Sequence, residues 1–210
     1  MKNRGFLLLF LAMASNANTV SAQTPAVEVE VYDYTNLNAA VLRQFVATTQ
    51  EILASSGVSL EVDVCARGGE PCERHAGSSR LIAISLVADA PKGQKKVRWD
   101  TLGQSITSHE GGTYATVFLK RVEAIASEEN IPLNVVLAYV AAHEMGHLLL
   151  GSPMHSKGGL MKADWGSDDY LAMAQSRFHF SPEQTRELTS RYGNSDQVHG
   201  DAGTAVATQP

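Results

Sequence analysis

Two histidines four residues apart flank a glutamate in the run His143-Glu144-Met145-Gly146-His147, the HExxH arrangement. On a helix, residues i and i+4 stand one above the other on the same face. Both imidazoles can therefore reach a single ion while the carboxylate stays beside it. The chemistry this permits is metal-assisted hydrolysis, in which zinc activates water and polarises a carbonyl. Glu144 would take the water proton and pass it to the leaving amine. With seven His among 210 residues, a chance HExxH has a probability of roughly one or two per cent, so composition is a poor account of the pattern.

Catalytic zinc usually takes three protein ligands and keeps a fourth position open. Gly151 can adopt the left-handed backbone that stops a helix, Ser152-Pro153 turns the chain, and His155 follows at once. A reversal there brings a third imidazole, matched in softness to the first two, under the same ion. Asp168 or Asp169, and further on Glu183 or Glu187, are the alternative third ligands. The two aspartates also suit a helix cap before Leu171, and Glu183 fits a helix start, where a carboxylate meets the positive end of the helix. His75, His109, His179 and His199 lie in loop-like or tail contexts without ligand spacing and read as surface residues.

The same stretch resembles the signature of the metzincin clan of zinc peptidases, HExxHxxGxxH followed by a methionine-containing turn beneath the metal. The matching residues are His143, Glu144, His147, Gly151 and His155, with Met161 in Gly158-Gly159-Leu160-Met161 as the turn methionine. Here the glycine and third histidine come one and two residues later, giving HExxHxxxGxxxH. Residues 143–165 also look like a group of uncharacterised bacterial secreted proteins of metzincin type. The resemblance implies a zincin-like α+β fold with a small mixed sheet and a buried active-site helix. It further implies zinc (Zn2+) as cofactor, His143, His147 and His155 as metal ligands, and Glu144 as the catalytic residue of an endopeptidase. Met161 would support the ligands from below without binding the ion. A protein or peptide substrate would lie antiparallel along an edge strand, the segment 113–119. Some metzincins carry a tyrosine two residues past the turn methionine, where this chain has Ala163. Trp165 and Tyr170 are expected to pack around the site or line a pocket. The competing class is a non-catalytic, zinc-stabilised binding domain, which would normally close the fourth metal position with another Cys or His.

The elements that must hold these residues are legible from periodicity. Alternating valines predict a half-buried strand over 27–34. A helix follows, capped by Asn36 or Asn38 and ended by Gly57, with apolar Val41, Leu42, Phe45, Val46, Ile52 and Leu53 at helical spacing. Residues 58–64, 81–87 and 113–119 read as further strands, and 120–128 as a short helix. Asn130 and Pro132 open a longer helix that is apolar on every side from 135 to 142 and so belongs at the centre of the domain. Ser181-Pro182-Glu183-Gln184 is a capping box opening a last helix to about Tyr192.

Length fits one domain, expected over 23–192. Residues 1–22 read as a secretory signal, with Lys2 and Arg4 before an apolar run and small residues before the cut. That run is far short of the roughly 20 apolar residues a bilayer span needs, so no stable membrane anchor is expected. Residues 193–210 are small, polar and aperiodic, a disordered tail. The location implied is secreted or periplasmic, where Cys65 and Cys72 can close a short loop as a disulfide. The net charge of −5, made two units more negative by loss of Lys2 and Arg4, excludes a nucleic-acid partner of the usual basic kind. A monomer is expected.

Overall fold

A computed structural model describes residues 27–65, 72, 80–91, 98, 100–107 and 113–193. The expected signal at 1–22 and the tail beyond Gly193 lie outside the described residues, as do His75, His109 and His199. The elements run β1 (Val27–Asp33), α1 (Ala39–Ala54), β2 (Leu60–Cys65), β3 (Leu81–Val87), β4 (Gly103–Ile106), β5 (Tyr114–Phe118), α2 (Leu119–Glu128), α3 (Leu133–Leu150), α4 (Ser167–Ala174) and α5 (Pro182–Tyr192). This is the α+β arrangement expected, with a five-stranded mixed sheet in the order β2-β1-β3-β5-β4.

The sheet's order follows from its connections. Helix α1 carries the chain from β1 to β2, the crossover that parallel neighbours require, and β1 pairs in parallel with both β2 and β3. Val27, Val29 and Val31 point into the core, and α1 covers them with Phe45, Ile52 and Leu53. Glu28 and Glu30 on the opposite face are buried as well, so β1 is covered on both sides rather than half-buried. Asn38 caps α1 by accepting the Ala40 N–H at 2.8 Å. Cys65 and Cys72 form the expected disulfide, which fastens the chain just past β2.

Two strands differ from expectation. β5 was to be an edge, but it pairs with β3 on one side and β4 on the other, so it has no free edge. Among the described residues the edge on that side is β4, four residues antiparallel to β5. Its short Gly-Gln-Ser-Ile stretch has none of the apolar alternation by which a strand announces itself.

Helix α3 lies against the sheet with α1 and α2 beside it, and every residue from Val136 to Leu149 is buried. Its side chains are apolar all round because neighbours meet it all round. Gly151 ends it at φ 64°, a conformation that costs glycine nothing. The terminal carbonyls are satisfied from elsewhere in the chain. Arg191 Nη1 donates to the Leu149 carbonyl at 3.1 Å, Tyr192 Oη to the same oxygen at 3.2 Å, and Arg80 Nη2 to that of Leu148 at 3.3 Å. Helix α5 begins with the capping box read from the sequence: Ser181 Oγ accepts the Gln184 N–H, and Gln184 Oε1 accepts the Ser181 N–H.

Candidate metal centre

The last two turns of α3 present His143, Glu144 and His147 on one face, and the chain reversal after Gly151 returns His155 to the same point. His147 Nε2 lies 3.1 Å from His143 Nε2 and 3.3 Å from His155 Nε2. Among the described residues these three form the one group of His, Cys, Asp or Glu side chains close enough to share an ion.

Backbone carbonyls fix the tautomers. His143 Nδ1 donates to the Leu160 carbonyl at 2.8 Å, and His147 Nδ1 to that of Ser152 at 2.7 Å. A carbonyl only accepts, so the proton sits on Nδ1 and each Nε2 presents a bare lone pair. Lone pairs about 3 Å apart repel unless a cation sits among them. Zinc–nitrogen bonds of about 2.0–2.1 Å in a tetrahedron put ligand atoms roughly 3.3 Å apart, so this donor set fits that ion. Burial disfavours imidazolium and pushes His143 down to about 4, with His147 and His155 adding repulsion; His147 is lowered for the same first reason. Both shifts favour the neutral imidazole that a ligand must be, and His143 reaches it well below pH 7.

Glu144 is 6 % exposed. Desolvation raises its carboxyl to about 7, opposed by a hydrogen bond from the Ser105 hydroxyl. With metal stripped by chelator, the folded chain holds this proton up to about pH 7, whereas the unfolded chain releases it near 4.5. Between those values folding binds a proton, so the group's contribution is full below about 4.5 and lost as pH rises through 7. Glu144→Gln cannot ionise. In urea titrations of chelated protein, its stability relative to the parent should rise by about 3 kcal/mol between pH 4.5 and 8.

The three imidazoles and Glu144 line a cleft of about 620 Å³. Its floor is α3, one wall is β4 with Leu102 before it, and the other is formed by Pro153, His155, Lys162, Trp165 and Tyr170. Trp165 stands edge-on to the His143 ring at 5.4 Å and packs on Tyr170 and Phe178, so both aromatics pack and line the cleft together. Burial pushes the Tyr170 hydroxyl up to about 12.

Residues 159–162 form a turn in which Lys162 N–H donates to the Gly159 carbonyl at 3.1 Å. Within it Leu160 supplies the carbonyl that orients His143, and Met161 is buried against Gly146, the residue just before His147. A Cβ on Gly146 would collide with Met161 Sδ and fall 2.8 Å from Phe180 Cε1. Gly146→Val should accordingly cost about 3 kcal/mol, read as a lowered denaturation midpoint.

The other carboxylates are engaged elsewhere. Asp169 pairs with Lys162 and accepts the Gly166 N–H at 2.9 Å, and the exposed Asp168 sits in the first turn of α4. Glu183 pairs with Arg186 and Glu187 with Arg191, both on α5. His179 is exposed, its ring 3.4 Å from Ser55 Oγ. Sequence reasoning missed Gly103 and Ser105, which face Glu144 from a strand it did not foresee. It also missed the Leu160 and Ser152 carbonyls, which carry no residue-type signal.

The fold is similar to that of solved structures. Archaemetzincin from Methanopyrus kandleri superposes with a TM-score of 0.51 at 17 % identity, over 82 % of this chain and 98 % of that one. A zinc-dependent peptidase from Methanocorpusculum labreanum (strain Z) gives a TM-score of 0.49 at 13 % identity, over 76 % and 99 %. No family model matches the chain, and no curated protein matches it in sequence.

Proposed function

We propose that this chain is a zinc-dependent endopeptidase whose metal is held by His143, His147 and His155. The observation that carries the reading is the convergence of three imidazole nitrogens, two with tautomers fixed so that their lone pairs face one another. Bound there, zinc supplies Lewis-acid activation of water and of the scissile carbonyl. Glu144, buried beside the imidazoles, takes the proton of the attacking water and delivers it to the leaving amine. Met161 supports His143 and His147 from beneath through Gly146.

The peptide takes its place along the outer edge of β4, which no strand pairs among the described residues, and so extends the sheet by one strand. The fold shared with archaemetzincin supports the peptidase class. A purely structural zinc site would favour a fourth Cys or His, and among the described residues the cluster contains three. The domain spans 23–192 and acts as a monomer outside the cytoplasm, secreted or periplasmic after removal of 1–22. The Cys65–Cys72 disulfide suits that oxidising location.

The test is zinc content by mass spectrometry together with hydrolysis of fluorescein-labelled casein by the chain from residue 23 onward. One zinc per chain, cleavage lost to a chelator and cleavage restored by added zinc are expected. One zinc with no cleavage of casein or of a broad peptide library would replace this reading with the metal-stabilised binding domain.

A further inference from the structure

Alternate residues of β4 point to opposite sides of the sheet. Gly103 and Ser105 stand opposite Val117 and Ala115 of β5, both core residues, so they face inward toward α3. An ideal Cβ at position 103 would lie 2.8 Å from Glu144 Oε1, 2.9 Å from Glu144 Cγ and 3.0 Å from the Thr116 carbonyl oxygen. The space a side chain would need at 103 is therefore the space Glu144 fills, and the Thr116 backbone closes the other direction. Ser105, the next inward position, lines the same cleft as Glu144, and its hydroxyl acts to lower the pKa of that carboxyl against the rise from burial.

We propose that Gly103 and Ser105 are positioning residues for Glu144, Gly103 by leaving room for the carboxylate and Ser105 by donating a hydrogen bond that fixes its rotation. The role in turnover rests on the reading of Glu144 as the proton-transfer group. A consequence sets this apart from simple packing. The strand that holds Glu144 from inside is the strand whose outer edge no strand pairs among the described residues, so a peptide pairing there tightens the element that aims the carboxylate. Long peptides should then gain in kcat over truncated ones, because binding distant from the scissile bond is converted into alignment.

Zinc-loaded Ser105→Ala, Ser105→Thr and Gly103→Ala proteins test this through zinc content, crystal structures, and kcat and KM on a quenched casein-derived peptide. Ser105→Ala should lower kcat about ten-fold with KM and zinc at parent levels, and Ser105→Thr should recover to within about two-fold. Gly103→Ala should lower kcat about a hundred-fold and show a displaced carboxylate. A parental carboxylate position in both alanine variants, or an unchanged kcat, overturns the proposal. If the parent cleaves nothing, the endopeptidase reading fails, while the carboxylate positions in the crystals still decide the positioning claim. Should Gly103→Ala not fold, the Ser105 pair decides alone.

Discussion

Glu144→Gln should lower casein hydrolysis by about a thousand-fold while the protein keeps one zinc per chain. The substitution is nearly isosteric, so the space beside Gly103 stays filled, and it touches none of the imidazoles. What it removes is the ability to accept a proton. The proposed ligands are the three imidazoles, and for that reason affinity and turnover should separate cleanly in this variant. Metal analysis beside a kcat measurement checks both halves. More than about a tenth of parental activity would show that another group moves the proton, and loss of zinc would show that Glu144 belongs to the ligand set.

The second large effect concerns the metal. His143→Ala and His155→Ala should each weaken zinc binding on the order of a thousand-fold, measured by competition with a chromogenic chelator. The two differ in what else they disturb. His143 is buried and bonded to the Leu160 carbonyl, so its loss also releases the 159–162 turn. His155 is exposed, and its loss should leave the apo-protein's stability close to parental. Asp169→Asn separates the two ligand schemes: zinc affinity should stay near parental, while α4 loses its ion pair with Lys162. A collapse of zinc binding in that variant, with His155→Ala unaffected, would move the third ligand to the aspartate.

How much of this was legible before folding depends on where each signal resides. α3 was readable because its apolar residues, its Pro132 start and its Gly151 stop all lie within one local stretch. The α5 boundaries followed from a capping box for the same reason. His143, Glu144 and His147 share one helical face by geometry alone, and the sequence suffices for them. His155 depends on a reversal whose direction Ser152-Pro153 suggests and only the fold decides. β4 was invisible: four residues with one apolar side chain become a strand only because β5 offers an edge. Everything that faces Glu144 from β4 was hidden with it. The burial of Glu28 and Glu30 was equally unreadable, since alternation of valine with glutamate signals a wet face and says nothing of what later covers it.

The helix that fills the centre of the domain is also the one that ends in the imidazoles, so the folding equilibrium and zinc occupancy are one linked balance. An ion that binds only the native chain adds about 2.7 kcal/mol at a free concentration a hundred times its dissociation constant, and nothing where the metal is scarce. His147 lies in the last turn of α3, at the negative end of the helix dipole, where a cation gains and a proton on the same ring would be held at the ion's expense. The thermal midpoint should therefore follow the free zinc level. Where zinc is scarce, more of the chain is unfolded and open to proteolysis, so metal supply sets how long each molecule lasts.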